Sequence, residues 1–466
     1  MTQIPHPPVS WITPREAPRS QKTGSRDIAA LDGVRAIAAM MVVALHLGEI
    51  VGVPWSINGA PLLTTFTVFG RMGVDLFFVL SGFLLFRPYA RALLFQKPWP
   101  SLRSFYLRRA FRIWPGYYVA LLAMILLFAH QYLQPDHHRQ LGLFLVFFMD
   151  SSRQTWQQLN GPFWTLATEW QFYMLLPLLA LGFSAIVRRL ATSAQQRLLV
   201  VLLCCSGLIV WGLAIKGLGV HFQDHRDATL LVPRQLLNIF LFFSFGIQGK
   251  YLEVFAGGMI VCALYTFAQD PEHGRDLKVR LLHLSYWLWA LGLVVIFCLA
   301  LWHAQATASR DGNLATFAAF PLLNPLTPYF PWLGEPIVGG GFAICMLALL
   351  SGSPYPRWIF ERSWLRRVGM ISYGIYMWNQ KLTGWFCAQL VTFFPHMDIL
   401  WKYTICWLFV LLGLLPFCYL FYRLIEAPGI RLGTWVIQNM PTSGSALSAA
   451  LSRFFVHRAK PERTHS

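Results

Sequence analysis

Apolar runs such as LLVVLLCCSGLIVWGLAI, WLWALGLVVIFCLALW and ICWLFVLLGLLPFCYLF recur along this chain and leave it one environment to fold in. Wound as helices at about 1.5 Å per residue, they approach the length that crosses about 30 Å of hydrocarbon. There are too many of them for a single water-soluble core. Charged residues make up 12% of the 466, and the mean hydropathy is +0.49; soluble domains carry roughly twice that charged share. In lipid, every backbone N–H and C=O must be bonded within the chain, which helices achieve. The fold class expected is all-α, a polytopic integral membrane helical bundle of about 10–12 transmembrane helices.

The formal charge of +18 could point to nucleic acid, but its distribution does not. Arginines and lysines cluster in short segments between apolar runs, as cytoplasmic loops do beside anionic lipid. There is no zinc-finger spacing, no basic helix with base-reading residues and no aromatic ladder, so a nucleic-acid partner is not expected. The eight cysteines lie inside apolar segments without CxxC pairs or nearby histidines at ligand spacing. They read as small buried hydrophobes, and no metal site is expected. Residues 1–27 are polar, basic and rich in proline, which fits a cytoplasmic tail and not a cleaved signal peptide.

The spans follow from the apolar runs. The first covers about Ile37 to Val53, the second ends at Arg87, and SLRSFYLRRAFRIWP after it is cytoplasmic by its arginines. A third runs from about Tyr117 to His130, and the QPDHHRQ stretch with LGLFLVFF forms an interfacial hairpin. The fourth starts near Phe163 and stops at Arg188 and Arg189. Others are expected near 198–217, 235–249, 254–268, 284–302, 336–350, 369–391 and 403–421, with 304–335 readable as a broken helix or an outer loop. Both ends are basic, which favours ten or twelve spans. The membrane domain is placed at 28–430, with a polar, disordered cytoplasmic tail at 431–466.

Polar groups inside such runs are expensive, and they mark cavities that bind, react or transport. Arg35 and His46 share the first span. Eleven residues separate them by roughly 16 Å along the axis and bring both to nearly one face. A guanidinium at the cytoplasmic headgroups and an imidazole near the midplane would result; the alternative is a structural histidine bonded to a neighbouring helix. Glu49, three residues on, is either a solvated cap or a partner of the imidazole. Arg109 and Arg112 face one way, and two aligned forks suit a phosphate, although arginines also anchor cytoplasmic helix ends. Pro115 after them marks a break in the helix.

Glu169, in an apolar run, could accept from Arg35, Arg109 or Arg112, or could bind the acceptor, and Asp75 presents the same choice. Ser372, Tyr373, Tyr376, Trp378 and Asn379 crowd one late span, either as a ligand-lined wall or as helix glue. A neutral imidazole at His46 can take a hydroxyl proton as the oxygen attacks a carbonyl, while arginines at the mouth hold the phosphorylated handle of an acyl donor. The same groups would also serve a proton-coupled transporter or flippase of a glycosylated or acylated lipid.

Six ordered motifs then bear a family likeness: LDGVRAIAAMMVVALHLG, GVDLFFVLSGFLL, YLRRAFRIWPGYY, FWTLATEWQFYMLLPLL, ISYGIYMWN and FYRLIEAPG. Over residues 26–430 the chain resembles acyltransferase family 3, integral membrane proteins that acylate carbohydrates and related hydroxyl compounds. The resemblance implies a bundle of about ten helices in a bacterial cytoplasmic (inner) membrane, with the N-terminus cytoplasmic. It implies acyl-coenzyme A, by default acetyl-coenzyme A, as co-substrate with no permanently bound cofactor, and a sugar of a surface polysaccharide, glycolipid or glycosylated small molecule as acceptor.

Carried over, the motif residues give Arg35, His46 and Glu169 as the catalytic group and Arg35, Arg109 and Arg112 as the coenzyme A contacts. Asp75, Ser372, Tyr373, Tyr376 and Asn379 fall on the acceptor side, and Glu426 matches the closing motif. Asn379 departs from the histidine that many members carry there, so that position cannot relay a proton. The chain resembles the stand-alone type, without an esterase-like domain. Oligomeric state is open, a homodimer included.

Overall fold

The computed structural model describes residues 29–51, 70–225, 227–229, 232–310, 321–352 and 354–439. The expected tail at 1–27, most of the one at 431–466, and part of the 304–335 segment lie outside these. Among the described residues the fold is all helical, with ten long helices. They are α1 (Ala29–Val51), α2 (Gly73–Phe95), α3 (Leu102–Phe128), α4 (Phe163–Leu190), α5 (Ala194–Asp224), α6 (Leu252–Ala268), α7 (Arg275–Arg310), α8 (Phe330–Ser351), α9 (Ser372–Phe393) and α10 (Ile399–Asn439). Eight are long and apolar enough to cross a membrane; α6 is shorter, and α9 is the most polar of the ten on its buried side. Leucine, phenylalanine and tryptophan side chains lie exposed along α5, α7 and α10, as lipid-facing surfaces require.

Two expectations about the spans are corrected, and the open reading at 304–335 is narrowed. The run at 235–249 gives only an eleven-residue helix, Arg234–Ser244, about 16 Å long and too short to span. A turn follows it through Gly246 (φ +69°) and Gly249 (φ +103°), backbone conformations that glycine adopts without strain. The segment around 304–335 adds no span among the described residues: α7 runs on to Arg310, and Pro321–Tyr329 is a tight helical lead into α8. Pro115 does not break its helix, because α3 is continuous from Leu102 to Phe128. Its missing hydrogen bond is tolerated where neighbouring helices fix the path. Arg109 and Arg112 therefore sit two to three turns inside α3, not ahead of it.

The last helix shows where proline does act. Wide turns at Val410–Leu414 and Tyr422–Glu426 interrupt α10, and each comes just before a proline, Pro416 or Pro428. A proline lacks the N–H that the normal ladder needs, and a one-turn bulge absorbs the misfit. The helical path continues to Asn439, beyond the boundary expected at 430.

Close backbone approach fixes the central pair, α2 and α6. A Cβ on Gly82 would meet the Phe255 carbonyl oxygen at 2.1 Å, and one on Gly258 would meet that of Val79 at 2.0 Å. Beside this seam Phe255 stacks on Phe172 of α4 with ring centroids 3.9 Å apart. Small residues are how helices in lipid reach such contact. Gly82→Ala is expected to destabilise the bundle by more than the about 1–3 kcal/mol usual for overpacking, because the obstacle is backbone. A lowered melting temperature and loss of the monodisperse peak in detergent would register it.

Candidate active site

The first turn of α1 packs on the short helix Ser363–Met370 so closely that a Cβ on Gly369 would touch the Asp32 carbonyl oxygen. Arg35, one turn on, donates from Nη1 to Asp32 Oδ1 at 2.9 Å, and the second Asp32 oxygen lies 3.9 Å from Arg366 Nε. Asp32 thus holds the guanidinium toward the middle of the bundle. There it lines an open cavity with Arg109 and Arg112 of α3, Glu169 and Tyr173 of α4, and Ser81 of α2. Ser372, Tyr373 and Tyr376 of α9 close the far wall. The cavity therefore joins three arginines to one carboxylate, an arrangement made for an anion.

Arg109 and Arg112 have no carboxylate partner among the described residues. Glu169 Oε1 accepts from the Ser81 hydroxyl at 2.5 Å and from the Tyr173 hydroxyl at 2.5 Å. Among the described residues no arginine comes within ion-pair distance of it. Of the two readings open for Glu169, the arginine partner is not the one its bonds show: hydroxyls from its own helix and from α2 reach it. Arg109 lies over the Tyr173 ring at 5.8 Å, and its Nε is buried without a hydrogen-bond partner. A buried donor left open costs about 1–3 kcal/mol, and an acceptor on a bound ligand removes that cost.

His46 stands fourteen residues beyond Asp32 on α1, about 21 Å along the axis, within a slab of hydrocarbon about 30 Å thick. It does not line the arginine cavity. Its Nδ1 is 2.5 Å from Asn379 Oδ1. The Asn379 amide nitrogen is committed to the Ile375 and Tyr376 carbonyls, at 2.8 Å each. The asparagine oxygen can therefore only accept, so the histidine proton sits on Nδ1 and Nε2 keeps its lone pair, with no partner among the described residues. Glu49 is exposed and is not the partner of the imidazole.

Tyr376 joins the two places. Its carbonyl accepts from Asn379, and its hydroxyl shares a 2.7 Å hydrogen bond with Thr165 at the cavity wall. Tyr373 is held by a 2.9 Å bond to the Ile113 carbonyl. Asn160 and Gly161, ahead of α4, tie to Met377 and Gln380 of α9 at 2.8 and 2.9 Å.

The structure brings together most of the residues expected from sequence. Arg35, Arg109, Arg112, Glu169, Ser372, Tyr373 and Tyr376 share the cavity, His46 and Asn379 pair above it, and Asp75 lines neither place. Ser81, Thr165 and Tyr173 were missed. Tyr173 follows Glu169 by four residues, the spacing that shares a helix face, and was legible on that ground. All eight cysteines are free thiols.

The family model described as an acyltransferase domain, that of acyltransferase family 3, matches residues 28–423. The chain belongs to this family. Its described part, a bundle of long apolar helices, is the build of a polytopic membrane domain of that family. Among curated proteins it is 23% identical over 457 residues to a Staphylococcus aureus (strain COL) protein named as an O-acetyltransferase, covering 89% of this chain and 60% of that one. It is 24% identical over 390 residues to the peptidoglycan O-acetyltransferase OatA of Listeria monocytogenes, covering 78% of this chain and 50% of that one. The chain thus spans about half to three fifths of the length of these relatives. No solved structure matches it significantly.

Proposed function

We propose that this acyltransferase moves an acetyl group from acetyl-coenzyme A to a hydroxyl of a surface polysaccharide or glycolipid, with His46 as general base. The observation that carries the reading is the Asn379 contact, which leaves Nε2 as the open basic nitrogen of an imidazole inside the bundle. The acceptor hydroxyl gives its proton to Nε2 while its oxygen attacks the thioester carbonyl. The new C–O bond forms, the C–S bond breaks, and the proton passes to the departing thiolate, so coenzyme A leaves as its thiol. Arg35, Arg109 and Arg112 hold the phosphates of the donor at the basic end of the cavity, which fits a cytoplasmic N-terminus in a bacterial cytoplasmic membrane. Glu169 orders Ser81 and Tyr173 along the donor's path, and Ser372, Tyr373 and Tyr376 form the wall toward the acceptor. The acceptor class draws support from the relatives named as O-acetyltransferases, one of them of peptidoglycan.

The test is acetyl transfer by the full chain reconstituted in liposomes, read as thiol release together with labelled acetate on an added glycan. Movement of a glycolipid across the bilayer with no thiol released would overturn the reading in favour of a transporter. Asn379 is a positioning residue in this scheme, so Asn379→Leu is expected to lower kcat about ten- to a hundred-fold, the range usual for groups that orient an imidazole. KM for the donor should stay put, and Asn379→Asp, which keeps an acceptor for Nδ1–H, should restore most of the loss.

A further inference from the structure

Asp75 does not line the arginine cavity. It faces a second set of charges on the other side of α2, buried between α5, α6 and α8 except for Arg71, which is partly exposed at the edge. Glu335 of α8 is the hub: its Oε1 accepts from Arg71 Nη2 at 3.1 Å and from the Tyr251 hydroxyl at 3.2 Å, and its Oε2 accepts from Lys216 Nζ of α5. Glu253 of α6 lies 3.9 Å from the same lysine. Arg71 is further held by Gln248 at 2.6 Å. The groups that act on Asp75 are Glu335, Lys216, Arg71 and Glu253.

The charges do not cancel. Three carboxylates, Asp75, Glu253 and Glu335, meet two cations, Lys216 and Arg71. Ionised throughout, the set would carry one net negative charge among membrane helices, at a cost of several kcal/mol. Glu335 and Glu253 each have a cation within 4 Å. Among the described residues Asp75 has none; it is 2% exposed, and its Oδ1 has no hydrogen-bond partner.

We propose that Asp75 is a buried proton-binding site, whose carboxyl carries the one proton that makes the cluster neutral. A metal ion fits less well, because two cationic side chains already occupy the space between the acids. The site bears on the reaction chamber through α2: Val74, Phe77 and Phe78 beside it line the arginine cavity, and Phe78 packs on Tyr251 at 5.0 Å. Loss of the proton adds an uncancelled charge at this seam and loosens the chamber wall. The inference stands on the charge count and does not depend on the acyl-transfer chemistry.

Infrared spectroscopy of the purified full chain tests it. Wild type at neutral pH is expected to show the C=O stretch of a protonated carboxylic acid shielded from water, and Asp75→Asn to lose it while Glu253→Gln keeps it. If Asp75→Asn does not fold, Asp75→Glu keeps a protonatable group and should shift the band in frequency. A wild-type spectrum without the band, a band that survives in Asp75→Asn, or one unmoved in Asp75→Glu would overturn the assignment.

Discussion

Replacing His46 by glutamine is expected to lower kcat about 10²–10⁴-fold, the usual share of a general base in the rate. Glutamine is close in length to histidine, and its amide can still donate to Asn379 Oδ1, which now accepts from the imidazole at 2.5 Å. The fold and the α1–α9 contact should therefore survive, and an unchanged melting temperature would show it. What glutamine lacks is a basic lone pair, so the acceptor hydroxyl has nowhere to leave its proton. Donor affinity should hardly move, because His46 does not line the arginine cavity and Arg35 stands roughly 16 Å away along the helix. The measurement is thiol release under saturating donor and acceptor. A kcat within about threefold of wild type would remove His46 from the chemistry, since a general base is worth far more than that.

Much of this layout was legible in the chain because single-helix geometry is simple. The spacing of Arg35 and His46 set them on one helix at different depths, and the structure keeps both inside the bundle. Partners across helices were another matter. Asn379 lies 333 residues from His46, and no periodicity reports a contact at that range; the residue stood out as a polar group in a late span and as a departure from the family's histidine. An arginine partner was one of two readings open for Glu169, because a buried carboxylate needs pairing. Short hydroxyl bonds from Ser81 and Tyr173 decided its place instead.

Proline misled in one direction. The local rule for soluble helices predicted a break at Pro115, but in an apolar surrounding the helix runs through it. Lys216, Glu253 and Glu335 were passed over, although each is a charge inside an apolar run, the same signal that singled out His46. Their meeting point was invisible because it joins three helices distant in sequence.

Alanine at both Arg109 and Arg112 should weaken donor binding by about 10²–10⁴-fold, at about 1.5–3 kcal/mol for each lost charged hydrogen bond and 1.4 kcal/mol per factor of ten. The two differ from Arg35, whose charge is already shared with Asp32. Arg109 instead keeps an open Nε in the cavity, and no carboxylate among the described residues pairs with it. Because KM reports affinity only when chemistry is slow, the constant is best measured by titrating acetyl-coenzyme A into the His46→Gln protein, which binds but does not turn over. Wild-type contacts should weaken with salt, and the double variant should lose most of that dependence. Arg109→Lys separates charge from shape: it keeps the cation but not the planar fork, and should recover only part of the affinity. If the arginines merely anchor α3 at the membrane surface, donor affinity in this background will not change, and the yield or orientation of the protein will change instead.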